Sequence, residues 1–241
     1  MISSFAIQDL SKKLQTTELN IRREYVQHLF LSHFYHQKEA EQFFFKGGTA
    51  LRIVFNSPLF SEDLNFSAEL YNTKHIEDAI VSTLNEIARK GIDTEIVESK
   101  ETTGGYLANI SFRIGNDHIT VLLQFSKRQS KDTSEVVTVV GDFIPPYSIT
   151  LLDRKHLTNE KIQALLTRSK PRDFYDLYYL IRSNLIDQEQ RKLLIQAKKK
   201  LKTTKINFGL ELKQFLPKSH WPIIKDLKNS LSREIGRFVQ D

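Results

Sequence analysis

The chain has 241 residues, of which 40% are hydrophobic and 27% are charged, a composition typical of a globular protein. It contains no Cys, which excludes disulfide frameworks, Cys-ligated zinc, iron–sulfur clusters and thiol catalysis. The sequence has no apolar run of the length that a membrane span needs, and its N-terminal residues are not typical of a signal peptide, so we expect a cytoplasmic protein with no membrane partner.

The net charge of +6 is unevenly distributed along the chain. Residues 1–120 carry 12 Lys and Arg and 16 Asp and Glu, whereas residues 121–241 carry 23 and 13. The basic second half favours contact with a polyanion such as RNA, although a solvated basic helical surface would give the same count.

Hydrophobic periodicity predicts a mixed first half of the chain. Strands are indicated at Phe43–Phe45 and Asp63–Ser67, and a Gly-containing hairpin joins two later strands. Helices are predicted over 4–16, 18–37, from Thr49, and over 74–90, and strands over 94–98, 106–114, 119–126 and 136–140.

Pro145-Pro146 is the clearest boundary in the sequence. Beyond it the pattern is helical, with helices predicted over about 153–168, 171–183, 187–201, 206–215 and 219–239. We therefore expect an α+β fold made of an α/β domain over residues 1–145 and a helical domain over residues 146–241.

Lys46-Gly47-Gly48-Thr49 lies where a predicted strand meets a helix. Glycines at such a junction expose backbone N–H groups that can bind a phosphate. The spacing fits neither a P-loop nor a dinucleotide fingerprint, and a tight structural turn is an equally good interpretation.

Asp63 and Asn65 are two residues apart on a predicted strand, so their side chains would lie on one face. Two neighbouring oxygen ligands suit a divalent cation such as Mg²⁺, while local Asx capping of a turn is the alternative. Lys161 and Asp173 are weaker candidates for a functional site. The sequence around Lys161 is typical of a surface lysine, and Asp173 lies at a predicted helix start, where a carboxylate usually stabilises the helix end.

Four sequence blocks in this order resemble the AbiEii/AbiGii-like nucleotidyltransferase toxin family. The resemblance covers about residues 40–185 and implies a DNA-polymerase-β-like nucleotidyltransferase core with a mixed sheet, followed by a C-terminal helical bundle. The blocks are Phe45-Lys46-Gly47-Gly48-Thr49-Ala50-Leu51-Arg52, Phe60-Ser61-Glu62-Asp63-Leu64-Asn65-Phe66-Ser67, Glu160-Lys161-Ile162-Gln163-Ala164-Leu165 and Pro171-Arg172-Asp173-Phe174-Tyr175-Asp176-Leu177.

The resemblance also implies a function and a set of site residues. The protein would be the toxin of a toxin–antitoxin pair, with a cognate antitoxin, and would transfer a nucleotide from an NTP to the 3′ end of an RNA, most plausibly tRNA. Asp63 and Asn65 would hold Mg²⁺, Lys161 would neutralise triphosphate charge, and Asp173 would support the catalytic pocket. The implied nucleotide-binding residues are Gly47, Gly48, Thr49, Arg52 and Ser61.

Two positions depart from the family pattern. Asn65 stands where the family has Asp, and Gln124 stands where a third acidic residue is usual. Because a dication favours carboxylates, these amides weaken the expected metal site and leave open whether the protein is an enzyme. The alternatives are a nucleotide- or RNA-binding module of the same fold without turnover, and a protein whose charge asymmetry serves only a cognate partner.

Overall fold

The structure is a computed structural model that describes residues 2–68, 72–127 and 133–239. These residues form two compact units. The first unit contains the described residues up to Asn56 together with Phe60–Leu152, and the second contains Ser57–Leu59 and the described residues from Asp153 onward.

Two helices open the first unit, α1 (Ser4–Lys13) and α2 (Glu18–Phe34). Each begins after a hydroxyl residue whose side chain accepts a backbone N–H of the first turn, Ser3 for α1 and Thr17 for α2. Twelve of the 17 residues of α2 are buried. The helix contacts two strands of the sheet described below, Asp117–Lys127 and Tyr147–Leu152. This burial includes polar side chains, which therefore need partners inside the unit.

Among the described residues, seven strands form one mixed sheet in the order β3-β4-β5-β2-β1-β7-β6. The pairs β1–β7 and β2–β5 are parallel, and the other neighbours are antiparallel. The strands are β1 (Phe43–Lys46), β2 (Leu64–Ala68), β3 (Thr94–Thr102), β4 (Gly105–Ile114), β5 (Asp117–Lys127), β6 (Ser134–Val139) and β7 (Tyr147–Leu152).

Two further helices belong to this unit: α3 (Gly47–Ile53), which follows β1 directly, and α4 (Thr73–Arg89). The core of the unit is aromatic. Phe66 of β2 and Phe125 of β5 occupy paired positions and stack with ring centroids 4.6 Å apart, and Phe34 of α2 packs 5.2 Å from Phe66. This packing fixes the register of the two parallel strands that carry the candidate site.

The second unit is helical. Its packing joins α5 to α6 and α7, and α10 to α6 and α7. The helices are α5 (Arg154–Thr167), α6 (Pro171–Arg182), α7 (Arg191–Thr203), α8 (Phe208–Leu212), α9 (Trp221–Lys225) and α10 (Leu227–Gly236).

The predicted α+β fold, a mixed sheet followed by helices, is confirmed, with three local differences. A strand, β7, follows Pro145-Pro146 and pairs with β1 and β6, so the first unit extends to Leu152, beyond the expected boundary. Asp63 precedes β2 instead of starting it. The predicted helix over 219–239 is broken at Asp226, which separates Trp221–Lys225 from Leu227–Gly236 and whose carboxylate accepts hydrogen bonds from the side chains of Asn229 and Ser230.

No helix in the described ranges is both long and apolar enough to cross a membrane.

Candidate functional site

The centre of the candidate site is a row of polar residues across three strands. Asn65 of β2 pairs with Lys46 of β1 on one side and with Gln124 of β5 on the other. Paired residues of neighbouring strands project to the same face, so the three side chains lie side by side. Lys46 is buried, Asn65 is half-buried and Gln124 is exposed. The row therefore brings together positions 65 and 124, which the resemblance assigned to metal binding.

Gly47 packs against this row. Its φ of +87° is a conformation that side chains disfavour, and a Cβ at this position would lie 3.0 Å from the Asn65 Nδ2. The junction between β1 and α3 thus requires glycine for two reasons, its backbone conformation and the close approach of Asn65. Gly48 follows in the first turn of α3 and is half-buried, like Gly47.

Thr49 and Asp63 connect α3 to the residue that precedes β2. The Thr49 hydroxyl donates a hydrogen bond to the Asp63 carbonyl, and Thr49 is fully buried. Asp63 is half-buried and immediately precedes β2, the strand that carries Asn65. This contact assigns Thr49 a positioning role: it holds the Asp63 backbone beside the glycine turn.

The loop before Asp63 is held by α2. The side-chain Nε2 of Gln27 donates to the Ser61 carbonyl at 3.0 Å, and the Arg23 Nη1 lies 3.3 Å from the Glu62 Oε1. Gln27 is buried, so its hydrogen bond is made without competition from bulk water. Polar residues on a buried helix therefore set the position of Ser61 and, through the chain, of Asp63.

Arg52 is engaged inside the first unit. Its guanidinium donates two hydrogen bonds to the Glu24 carboxylate, at 3.0 and 3.1 Å, and lies 3.9 Å from the centre of the Phe60 ring. Burial raises the pKa of Glu24, and the charge of Arg52 opposes that rise. No sequence pattern indicated Glu24, because its partner is 28 residues away along the chain.

Lys161 and Asp173 lie in the second unit, on the neighbouring helices α5 and α6. The Lys161 Nζ donates to the Asp176 Oδ2 at 2.8 Å, with 10% and 4% of the two side chains exposed. Burial raises the pKa of Asp176, while the Lys161 charge lowers it. Lys161 is therefore not the exposed surface lysine that its sequence pattern predicted, but one member of a buried ion pair. The sequence pattern placed Asp176 one turn from Asp173 on the same helix face, but it did not indicate Lys161 as the partner of Asp176.

Asp173 is fully buried and both of its carboxylate oxygens are occupied. It accepts the Lys170 backbone N–H at 2.9 Å at the start of α6, and the Arg168 guanidinium at 2.7 to 3.1 Å. The hydrogen bond to Asp173 raises the pKa of Arg168. In this structure Asp173 ties the turn between α5 and α6 to the start of α6.

The residues proposed for Mg²⁺ do not form a three-carboxylate site. In the described ranges, no group of three or more His, Asp or Glu side chains is arranged to hold a metal ion. The row supplies two neutral amides, Asn65 and Gln124, and the proposed ligand set adds one carboxylate, Asp63, which lies two residues before Asn65. This donor set does not fit a tightly held dication, which favours several carboxylates.

Comparisons with known proteins identify the family. The model of the family described as "Nucleotidyl transferase AbiEii toxin, Type IV TA system" matches residues 29–239. No curated protein matches the sequence.

Two solved structures share the fold. The protein JHP933 from Helicobacter pylori has a TM-score of 0.69 and 17% identity, with 92% of this chain and 93% of that chain covered. A candidate nucleotidyltransferase from H. pylori has a TM-score of 0.68 and 19% identity, with 92% and 95% covered. Because the family model spans most of the sequence, the chain belongs to the AbiEii nucleotidyltransferase toxin family of type IV toxin–antitoxin systems.

Proposed function

We propose that this protein transfers a nucleotide from an NTP to the 3′ end of an RNA, with tRNA as the expected acceptor. The observation that carries the proposal is the meeting of Gly47, Asn65 and Gln124 on one sheet face, with Asp63 two residues before Asn65. The family supplies the type of reaction. In this reaction an RNA 3′ hydroxyl oxygen forms a bond to the α-phosphorus and loses its proton to water. The bond from that phosphorus to the oxygen that bridges to the β-phosphate breaks, and pyrophosphate leaves with the electron pair.

In this proposal the first unit holds the triphosphate. Gly47, Gly48 and Ser61 contact its oxygens, and Thr49 keeps the Asp63 backbone in place through its hydrogen bond. A divalent cation, which the family implies, would supply charge neutralisation, with Asp63 and Asn65 as its proposed ligands. One carboxylate and one amide hold such an ion only weakly.

The second unit supplies positive charge for the RNA backbone. Residues 153–241 contain 20 Lys and Arg and 10 Asp and Glu, so this segment holds the excess of positive charge that distinguishes the second half of the chain. Lys192, Lys199 and Lys202 are exposed on α7, and within the described ranges they make no ion pair. Unpaired lysines on one helix face suit phosphate contacts, which dominate nucleic-acid affinity.

Lys161 and Asp173 are retained as proposed catalytic residues. Each is buried and paired, Lys161 with Asp176 and Asp173 with Arg168. A role for Lys161 in neutralising phosphate charge would require the lysine to share its charge with Asp176. The family also implies a cognate antitoxin as a partner of the system.

A second candidate function is a nucleotide- or RNA-binding module of the same fold without turnover. The observation that favours it is the pair of amides at positions 65 and 124, which lie together on the sheet. Two neutral amides provide no negative charge to hold the cation that would neutralise the phosphates during transfer.

The proposals are separated by incubating the protein with each radiolabelled NTP, total tRNA, and Mg²⁺ or Mn²⁺. Transfer predicts label in the RNA band with one or more NTPs, and Asp63→Asn should reduce it strongly, because the variant removes the one carboxylate among the proposed cation ligands. Asp78→Asn, the same change at an exposed carboxylate of α4, is the matched control. RNA that is bound but remains unlabelled with every NTP and both cations would contradict transfer and favour the binding module.

A further inference from the structure

A second site lies in the first unit, in a cavity of about 310 Å³ whose lining belongs to no part of the polar row. Its floor contains the buried residues Glu24 and His28, and its rim contains the exposed Gly141 and Asp142. The cavity therefore leads from the surface to buried polar atoms. Its volume is near the lower end of the roughly 300–1,000 Å³ typical of small-molecule sites, which suits one planar ring system.

Charged groups at this cavity are already paired with each other. Arg52 binds the Glu24 carboxylate through two hydrogen bonds, and the Lys13 ammonium lies 2.9 Å from the Asp142 carboxylate. An ionic ligand would have to break one of these pairs to gain a counter-charge. The cavity therefore favours an uncharged ligand.

His28 contributes one polar atom that can bind such a ligand, beside the amide of Asn56, which also lines the cavity. The imidazole is 97% buried, since 3% of the residue is exposed, and its Nδ1 lies 3.0 Å from the Tyr147 hydroxyl. That hydroxyl has no other acceptor in the described ranges, so it donates to Nδ1 and leaves Nε2 as the protonated nitrogen. Burial lowers the pKa of His28 to about 4, which keeps the ring neutral near pH 7.

The His28 Nε2 makes no hydrogen bond in the described ranges and faces the rim. A Cβ built on Gly141 would lie 3.3 Å from the His28 Cε1 and 3.8 Å from Nε2, so Gly141 covers this ring edge without a side chain. Because Nε2 is not among the buried side-chain atoms that lack a partner in the described ranges, it is accessible from the cavity, and a ligand acceptor there can take its hydrogen bond.

The wall beside His28 is aromatic and apolar. The Phe143 ring lies 5.2 Å from the His28 ring, tilted by 38°, and Leu14, Ile53 and Val140 complete the apolar lining. A planar ring can pack against Phe143 while its edge accepts a hydrogen bond from Nε2.

We propose that this cavity binds a nucleobase. A nucleobase is uncharged and planar, and it carries nitrogen or carbonyl acceptors on its edge, as the paired charges, the Phe143 wall and the His28 donor require. The base could come from an NTP or from an unstacked RNA nucleotide, and these sources share the same chemistry. Binding of a base in this cavity is independent of the proposed transferase function, and only the two suggested sources of the base rest on that function.

The test uses the full chain, no cation and no second substrate. Adenosine, guanosine, cytidine and uridine are titrated while ligand-observed saturation-transfer NMR measures binding, and ribose 5-phosphate serves as the probe that lacks a base. We expect at least one nucleoside to bind and ribose 5-phosphate not to compete with it. Competition by NTPs and by a short single-stranded RNA then distinguishes the two sources of the base.

Two variants test the location. Gly141→Leu places a side chain over the His28 edge and should weaken nucleoside binding at least tenfold, whereas Gly104→Leu should leave it unchanged, because a Cβ on Gly104 meets no atom within 4 Å. The double variant His28→Phe/Tyr147→Phe keeps an aromatic ring at both positions and removes both hydrogen-bonding partners together, so we expect the fold to be retained while binding falls.

Absence of nucleoside binding, equal competition by ribose 5-phosphate, or full binding by folded Gly141→Leu would overturn the proposal. RNA labelling without nucleoside binding would refute the nucleobase cavity and leave the proposed function intact. Nucleoside binding that disappears in Gly141→Leu, together with unlabelled RNA, would support the cavity and contradict the transferase.

Discussion

Asn65 and Gln124 are direct cross-strand neighbours on the parallel strands β2 and β5. Two carboxylates at these positions would repel each other without a cation, whereas two amides do not. The amides therefore make this sheet face stable without a metal, and they reduce its capacity to hold one. Catalysis at this site therefore requires Asp63 and the triphosphate oxygens to supply the negative charge that the two amides do not provide for a cation.

Restoring the two carboxylates should make the fold depend on cation. The variant Asn65→Asp/Gln124→Glu should be destabilised in chelator by roughly 0.2–1 kcal/mol, the range for neighbouring cross-strand charges. Added Mg²⁺ should raise its melting temperature more than that of the wild type. The measurement is thermal unfolding by circular dichroism with EDTA and with Mg²⁺. The two single variants are controls, and a double variant that behaves as the sum of the singles would show that the side chains do not interact.

Part of this site follows from sequence alone. The alternating pattern around Asp63–Ser67 predicted a strand at Asn65, and β2 carries this residue, whereas its closeness to Gly47 follows from the pairing of β1 with β2. The ion pairs of Asp176 and Glu24 could not be found in this way, because their partners are fixed by helix packing. Strand β7 was not predicted, because Pro145-Pro146 indicated a domain boundary. In the structure these prolines precede β7, which pairs with β1 and with β6.

The Gly47 turn predicts a large effect for a small substitution. Gly47→Ala places a side chain at a φ of +87° and a Cβ 3.0 Å from the Asn65 Nδ2. Gly91→Ala is the matched control, since Gly91 has a φ of +79° and no atom within 4 Å of its added Cβ. The left-handed conformation alone should cost about 1–2 kcal/mol, and the contact with Asn65 should add about 1–3 kcal/mol at Gly47. Urea unfolding measures both. Equal losses in the two variants would mean that Asn65 moves aside freely.

The α7 lysines should determine the salt dependence of RNA binding. Replacing Lys192, Lys199 and Lys202 by Gln should weaken binding and lower the slope of log K against log salt by about 0.7–0.9 for each phosphate that a lysine no longer neutralises. The control variant replaces Lys12, Lys38 and Lys74, three exposed lysines of the first unit, and changes the net charge equally. Fluorescence anisotropy with labelled tRNA at several salt concentrations measures the slopes. Identical slopes for the two triple variants would exclude α7 as the RNA-binding surface.

His28 should make the first unit less stable in acid. Its pKa is lowered to about 4 by burial, against 6.5 in an exposed histidine, so the unfolded chain binds more protons between these values. The stabilisation is complete above pH 6.5 and is lost as pH falls toward 4, which amounts to about 2 kcal/mol at pH 5. Because the raised pKa of Glu24 acts in the opposite direction, the comparison is with His28→Phe/Tyr147→Phe. Urea unfolding at pH 7 and pH 5 should show the smaller loss in that variant, and an equal loss would refute the assignment.

Lys161 and Asp176 form a buried ion pair whose two members should depend on each other. Lys161→Met leaves an unpaired carboxylate and Asp176→Leu leaves an unpaired ammonium, with 4% and 10% of these side chains exposed, respectively. Each single variant should lose about 3–5 kcal/mol of unfolding free energy. The double variant Lys161→Met/Asp176→Leu should lose clearly less than the sum, because an apolar pair can replace a buried ion pair.

The exposed pair Lys155–Glu189, whose lysine lies on the same helix α5, is the control for this cycle. Its side chains are 61% and 75% exposed, so Lys155→Met should change stability little. Urea unfolding of the four proteins of the cycle gives the coupling energy, and additive losses would mean that the Lys161–Asp176 contact contributes nothing specific. RNA labelling by the double variant then separates the two roles of Lys161. A folded double variant without transfer supports a direct role for the lysine in the reaction, whereas full transfer would restrict Lys161 to holding α5 against α6.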